Sequence, residues 1–146
     1  MCLQLQSSSN MKIDLNSNIM FDKTLINDNS DVVYNFNDGY FYINTNGNYY
    51  VSWWFCGSSK SDVISINLHT CKDDNFKSYI PFDCGQIRGS AILNVYDNHL
   101  RFSLVNNCDS DLFPTTDIDI KANICIYKIF SFSNHNFSYR KKQFLN

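Results

Sequence analysis

The chain has 146 residues with a formal net charge of -2, 44% hydrophobic residues and 16% aromatics, the last made up of 12 Phe, 9 Tyr and 2 Trp. One domain of this size buries about 68–70% of the surface its unfolded chain exposes, so the aromatic content excludes a disordered chain. The near-neutral charge, with no basic stripe interleaved with aromatics, excludes a nucleic-acid partner. Glu is absent and Ala occurs only at Ala91 and Ala122. Good helix formers are replaced by Ile, Val, Tyr, Phe and Asn, which favour strands and turns because β-branched and aromatic side chains lose rotamer freedom against a helical turn. The composition predicts an all-β fold.

The opening stretch MCLQLQSSSN is polar and aperiodic, and residues 1–17 read as a polar N-terminal leader with Met11 as an alternative start. Gln and Ser stand where a signal peptide would carry its apolar segment, and no run reaches the length of a membrane helix. Neither a signal peptide nor membrane insertion is expected. Residues 18–130 read as one domain of short runs separated by Asn, Asp, Gly and Ser clusters, the pattern of a sandwich or barrel. Strands are predicted at Ile19–Asp22, Val32–Phe36, Tyr40–Asn44, Tyr49–Cys56, Val63–Leu68, Phe76–Phe82, Ser90–Tyr96, Leu100–Asn106 and Lys121–Phe130. Asn37-Asp38-Gly39, Thr45-Asn46-Gly47 and Asp97-Asn98 supply residues that tolerate positive φ where the chain reverses. Residues 107–116, which contain Pro114, read as a longer surface loop. Residues 131–146 read as a polar C-terminal tail.

Two strands look apolar on both faces. Tyr49, Val51, Trp53 and Phe55 alternate with Tyr50 and Trp54, while Ala122, Ile124 and Ile126 alternate with Cys125, Tyr127 and Ile129. An antiparallel strand covered on both sides needs a second apolar surface beyond its own core, and a subunit interface provides one. Tyr49, Val51, Trp53, Trp54, Phe55, Phe102, Ile124, Ile126, Tyr127 and Ile129 are therefore the candidates for core or interface. Burying one aromatic contributes about 4–6 kcal/mol as an upper estimate, enough to dominate a contact between subunits.

The run Gly47-Asn48-Tyr49-Tyr50-Val51-Ser52-Trp53-Trp54 resembles the glycine-x-tyrosine-x-aromatic strand of complement-type globular heads and their tumour necrosis factor-like relatives. Ile19 to Lys23 and Gly39 to Ile43 sit where that family has its opening and glycine-led strands. Gly89 to Val95, Leu100 to Val105 and Ala122 to Ile129 look like its last three. The doubled Trp and the closing A-N-I-x-I-x-K-I look most like the C-terminal heads of bacterial collagen-like glycoproteins on the spore's outer layer, the exosporium. The resemblance covers about Asn18 to Phe130. It implies an antiparallel ten-strand-type jelly-roll β-sandwich and a tight homotrimer. It further implies a structural role in assembly, display or adhesion on a bacterial spore or cell surface, with other surface-layer proteins or glycans as further partners. The chain departs from the bacterial branch in having no Gly-X-Y stalk, with only 5 Gly in all, and no surface-targeting leader.

Catalysis finds little support. His69, His99 and His135 lie in different segments with no G-x-S-x-G or H-E-x-x-H motif, and read as solvated histidines. His69 with Cys71 also describes any half-buried strand end. Asp73-Asp74, Asp109 with Asp111, and Asp117 with Asp119 read as solvated acids, the middle pair alternatively as a cation site. No catalytic residue, metal site or cofactor is expected. Six cysteines without C-x-x-C spacing are small buried hydrophobes or form disulfides or cross-links, for which Cys56, Cys71, Cys84 and Cys108 are the candidates. Arg140-Lys141-Lys142 reads as a solubilising tail and Asn136-Phe137-Ser138 as a glycosylation sequon that matters only in a eukaryotic secretory route. The alternative function is a lectin-like carbohydrate- or ligand-binding jelly roll using exposed Tyr, Asn and Asp. Trp53 and Trp54 are adjacent on a strand, so at most one joins any platform.

Overall fold

The computed structural model describes residues 2–28, 31–61, 63–81 and 85–130. Two antiparallel sheets face each other. The strands are β1 (Cys2–Ser7), β2 (Lys23–Asn27), β3 (Val32–Tyr34), β4 (Phe41–Ile43), β5 (Gly47–Ser59), β6 (Val63–Thr70), β7 (Asn75–Pro81), β8 (Gln86–Val95), β9 (Leu100–Asn106), β10 (Leu112–Pro114) and β11 (Ala122–Phe130). The first sheet runs β2-β1-β11-β5, with β8 on the other edge of β5 and β10 against the end of β5; the second runs β3-β4-β9-β6-β7. No helix occurs among the described residues.

Strict alternation makes the core. The 13 residues of β5 alternate between buried and less buried positions along their whole length, sending Tyr49, Val51, Trp53 and Phe55 inward. Ile124 and Ile126 of β11 and Phe102 of β9 join them, each 0% exposed. Most of the candidates for core or interface therefore belong to the core of a single subunit. The Phe41 and Phe102 rings stack at 4.9 Å, and Tyr34 lies 4.5 Å from Phe41.

Two turn tips lock together: the Asn46 amide N–H donates to Asn98 Oδ1 (3.2 Å), and the Asn98 N–H donates to Asn46 Oδ1 (2.7 Å). Asn98 and Gly39 take the positive φ expected of their turns, at 53° and 78°. Both prolines, Pro81 and Pro114, lie on the edge strands β7 and β10, where a missing N–H leaves no ladder bond unmade.

Three expectations are corrected. Residues 1–17 are not a leader throughout, because Cys2–Ser7 is β1, paired to β11 on one side and β2 on the other. Its Leu3 and Leu5 are buried while Gln4 and Gln6 are half-buried, a two-residue period too short to stand out among polar neighbours. The opening strand expected at Ile19–Asp22 is not a ladder strand. Ile19 and Phe21 are buried, but the segment is tied by a single bridge from Asn18 to Val105 and by the Phe21 N–H donating to Tyr34 Oη at 2.9 Å. Burial pushes the Tyr34 hydroxyl up to about 12. The loop expected over 107–116 contains β10, whose Leu112 is 0% exposed. The residues 131–146 read as a tail, with His135, lie outside the described residues, as do Phe82 and Cys84.

Gly89 sits directly opposite Trp53. A Cβ there would stand 2.3 Å from the indole, so the close approach of ring to backbone requires glycine. Gly89→Val is expected to destabilise the fold by about 1–3 kcal/mol, measured by urea unfolding. Removing residues 1–10 should abolish the cooperative thermal transition, because it strips an inner strand from the first sheet.

Candidate association face

The outward face of the first sheet is built by the residues that the core alternation turns away. From β5 these are Asn48, Tyr50, Ser52 and Trp54; from β11, Asn123, Cys125, Tyr127 and Ile129; from β8, Ile92 and Arg88. Register lines them up: Tyr127 pairs with Tyr50 and Asn123 with Trp54 across β11 and β5, while Tyr50 pairs with Ile92 and Trp54 with Arg88 across β5 and β8. The Tyr50 and Tyr127 rings stack at 6.5 Å. The stripe is open to solvent, with Tyr50 37%, Tyr127 43%, Ile129 51% and Ile92 54% exposed. Of the residues expected at a core or interface, Trp54, Tyr127 and Ile129 lie here. Tyr50 and Ile92 join them without having stood among the expected core or interface residues; their signal was alternation opposite a buried row.

No protein-family model and no curated protein matches the chain. Solved structures do. The globular domain of zebrafish complement 1qA protein superposes with a TM-score of 0.67 at 12% identity, over 89% of this chain and 97% of that one. Eiger TNF from S. frugiperda gives 0.68 at 12% identity over 92% and 96%. PRD1 vertex protein P5 gives 0.59 at 14% identity over 88% and 96%. The fold is the tumour necrosis factor-like jelly roll.

Within this jelly roll the described acids, histidines and cysteines do not gather into a cluster of three or more that could hold a metal ion. His69 Nδ1 bonds Asn75 Oδ1 at 2.9 Å, and Cys71 Sγ instead accepts the Arg101 amide N–H at 3.4 Å. His99 is exposed. Asp111 is held by Lys12 at 3.0 Å, which lowers the pKa of its carboxyl. No helix among the described residues is long and apolar enough to cross a membrane.

Of the alternatives for the cysteines, no disulfide within the chain forms among the described residues. Cys56, Cys71 and Cys108 are free thiols: Cys108 is buried and bonded to the Ser65 backbone at 3.2 Å, and Cys71 is exposed. The closest approach among described thiols is a pair the sequence reading did not single out. Cys2 and Cys125 Sγ lie 4.0 Å apart, because β1 and β11 are neighbours only in the fold. Cys125 also donates to Tyr127 Oη at 3.4 Å. Burial first, and Cys125 second, raise the pKa of the Cys2 thiol.

One ion pair is largely enclosed. Lys128 Nζ lies 2.7 Å from Asp31, with side-chain exposures of 10% and 13%, and it also donates to Thr45 Oγ1 at 2.8 Å. The hydrogen bond from Lys128 lowers the pKa of Asp31 against the effect of burial. For Lys128, burial is the largest influence and works downward, but Asp31 and Tyr49 together outweigh it and raise the pKa. Asp31→Asn should cost about 1–3 kcal/mol at neutral pH. Because the folded carboxyl titrates below its unfolded value, the pair's contribution is present above the usual carboxylate range and is lost as pH falls through the depressed value. Thermal midpoints of wild type and variant should therefore converge in acid.

Proposed function

We propose that this chain is a non-catalytic association head that closes into a homotrimer through the outward face of its first sheet. Its task is assembly, display or adhesion, and we place it on a bacterial spore or cell surface, where other surface-layer proteins or glycans are its further partners. One observation carries the reading: β5 and β11, whose inner rows already fill the core, present a second row with Tyr50, Trp54, Tyr127 and Ile129 toward solvent. A continuous aromatic patch flanked by polar residues marks a contact surface. Aromatic rings are also the side chains that dominate such contacts. The neighbours in fold are a complement globular domain, a TNF and a vertex protein, and the surface location is supported by the motif resemblance of the Trp-Trp strand and the closing strand. Self-association covers the patch most simply, since copies of one chain bring matching rows.

Light scattering at micromolar concentration should return three times the 17.0 kDa chain mass. Tyr127→Asp combined with Trp54→Glu should give a folded monomer, because both side chains point away from the core. Val33→Asp, at a position 52% exposed on the second sheet, should leave the mass unchanged. A wild-type chain that stays monomeric overturns the reading.

A further inference from the structure

The outward face of the second sheet carries a groove of about 240 Å³. Its floor follows from alternation. β6 sends Ile66 and Leu68 into the core, so Asn67 and His69 project outward; β9 buries Phe102 and Leu104 in the core, so Ser103 and Val105 project outward. Register sets His69 opposite Ser103 and Asn67 opposite Val105. The far wall is Tyr40 together with the segment around Asn18, which takes up the edge of β9 that β4 leaves free: Asn18 bridges Val105, and the Asn106 N–H donates to the Ser17 carbonyl at 2.9 Å.

Two atoms in this floor have no hydrogen-bond partner among the described residues, Asn67 Oδ1 and Ser103 Oγ, in residues only 5% and 1% exposed. Native proteins rarely leave buried polar atoms unpaired, and each that remains calls for a cause such as strain, an ordered water, an ion or a functional role. Apolar residues at these two positions would close the sheet face without any such cost. The groove lining holds Asn, Ser, Tyr, His and Val side chains, and no Asp, Glu, Lys or Arg; the Arg101 guanidinium lies over the Tyr40 ring, 4.6 Å from its centroid. Amides and hydroxyls each offer both donors and acceptors, which is the complement of a ring bearing several hydroxyls. Tyr40 and Val105 add surface for the ring's C–H face.

We propose that this groove binds one unit of a neutral sugar. Asn67 Oδ1 and Ser103 Oγ exchange hydrogen bonds with its hydroxyls once the half-buried His69 swings aside, while Tyr40 stays as the wall. The groove lies on the sheet opposite the association face, so it stands or falls independently of the trimer reading.

The test is an NMR titration of the isotope-labelled chain with glucose, galactose, mannose and N-acetylglucosamine, with inorganic phosphate as the charged probe. At least one sugar should give saturable shifts centred on Asn67, His69 and Ser103, and phosphate none. Ser103→Val and Asn67→Leu should each weaken binding about five- to tenfold, the loss expected for one hydrogen bond. Ser103→Val should keep the wild-type thermal midpoint, since its hydroxyl has no partner to lose; if Asn67→Leu does not fold, His69→Ala takes its place. The proposal is overturned if no sugar gives a saturable shift, as in a groove holding water alone. It is equally overturned if the shifts centre on Tyr50 and Trp54, if phosphate competes, or if the folded variants bind as wild type does.

Discussion

The two sheets depend on how Trp53 is seated. Its indole lies over Gly89 on the neighbouring strand, and its Nε1–H crosses to the opposite sheet to donate to Ser78 Oγ at 3.2 Å. Ser78 passes the chain of bonds on to the Ile66 carbonyl at 2.9 Å. A large ring is thereby buried to 3% exposure with its one polar atom satisfied, which is the condition under which tryptophan stabilises a core. Because Trp53 is fixed inward, the period of two fixes Trp54 and Tyr50 outward. The position of the proposed association face is thus a consequence of core packing on the same strand.

The two faces of the sandwich differ in the chemistry they offer. The first sheet turns out stacked aromatics and aliphatic side chains, which gain by leaving water. The second turns out amides and hydroxyls around a groove whose floor holds unpaired polar atoms, which gain only from a polar partner. Charge contributes little to either. The pairs of Lys12 with Asp14 and of Lys72 with Asp97 are exposed and worth little in water, whereas the enclosed Lys128–Asp31 pair ties the end of β11 to the segment before β3.

Much of the fold was legible wherever alternation was strong and turn chemistry explicit. The strand expected at Leu100–Asn106 has those bounds in the structure, the one expected at Tyr49–Cys56 lies in β5, and the one expected at Lys121–Phe130 matches β11 but for Lys121. β1 was missed because two leucines among Gln and Ser give too little hydrophobic contrast. Ile19 and Phe21 looked like a strand because they are buried, yet burial in an irregular segment leaves the same apolar trace. β10 was hidden by Pro114, which is harmless on an edge and disruptive elsewhere.

The all-β class, the inward row of β5 and the aromatic second row were readable along the chain, because they follow from composition and a period of two. Which rows meet is settled by packing. The stacking of Tyr50 on Tyr127, the approach of Cys2 to Cys125 and the pairing of Asn18 beside Val105 join residues far apart along the chain. Their register is set by which strands become neighbours, and that depends on packing over the whole sandwich, which no local pattern encodes.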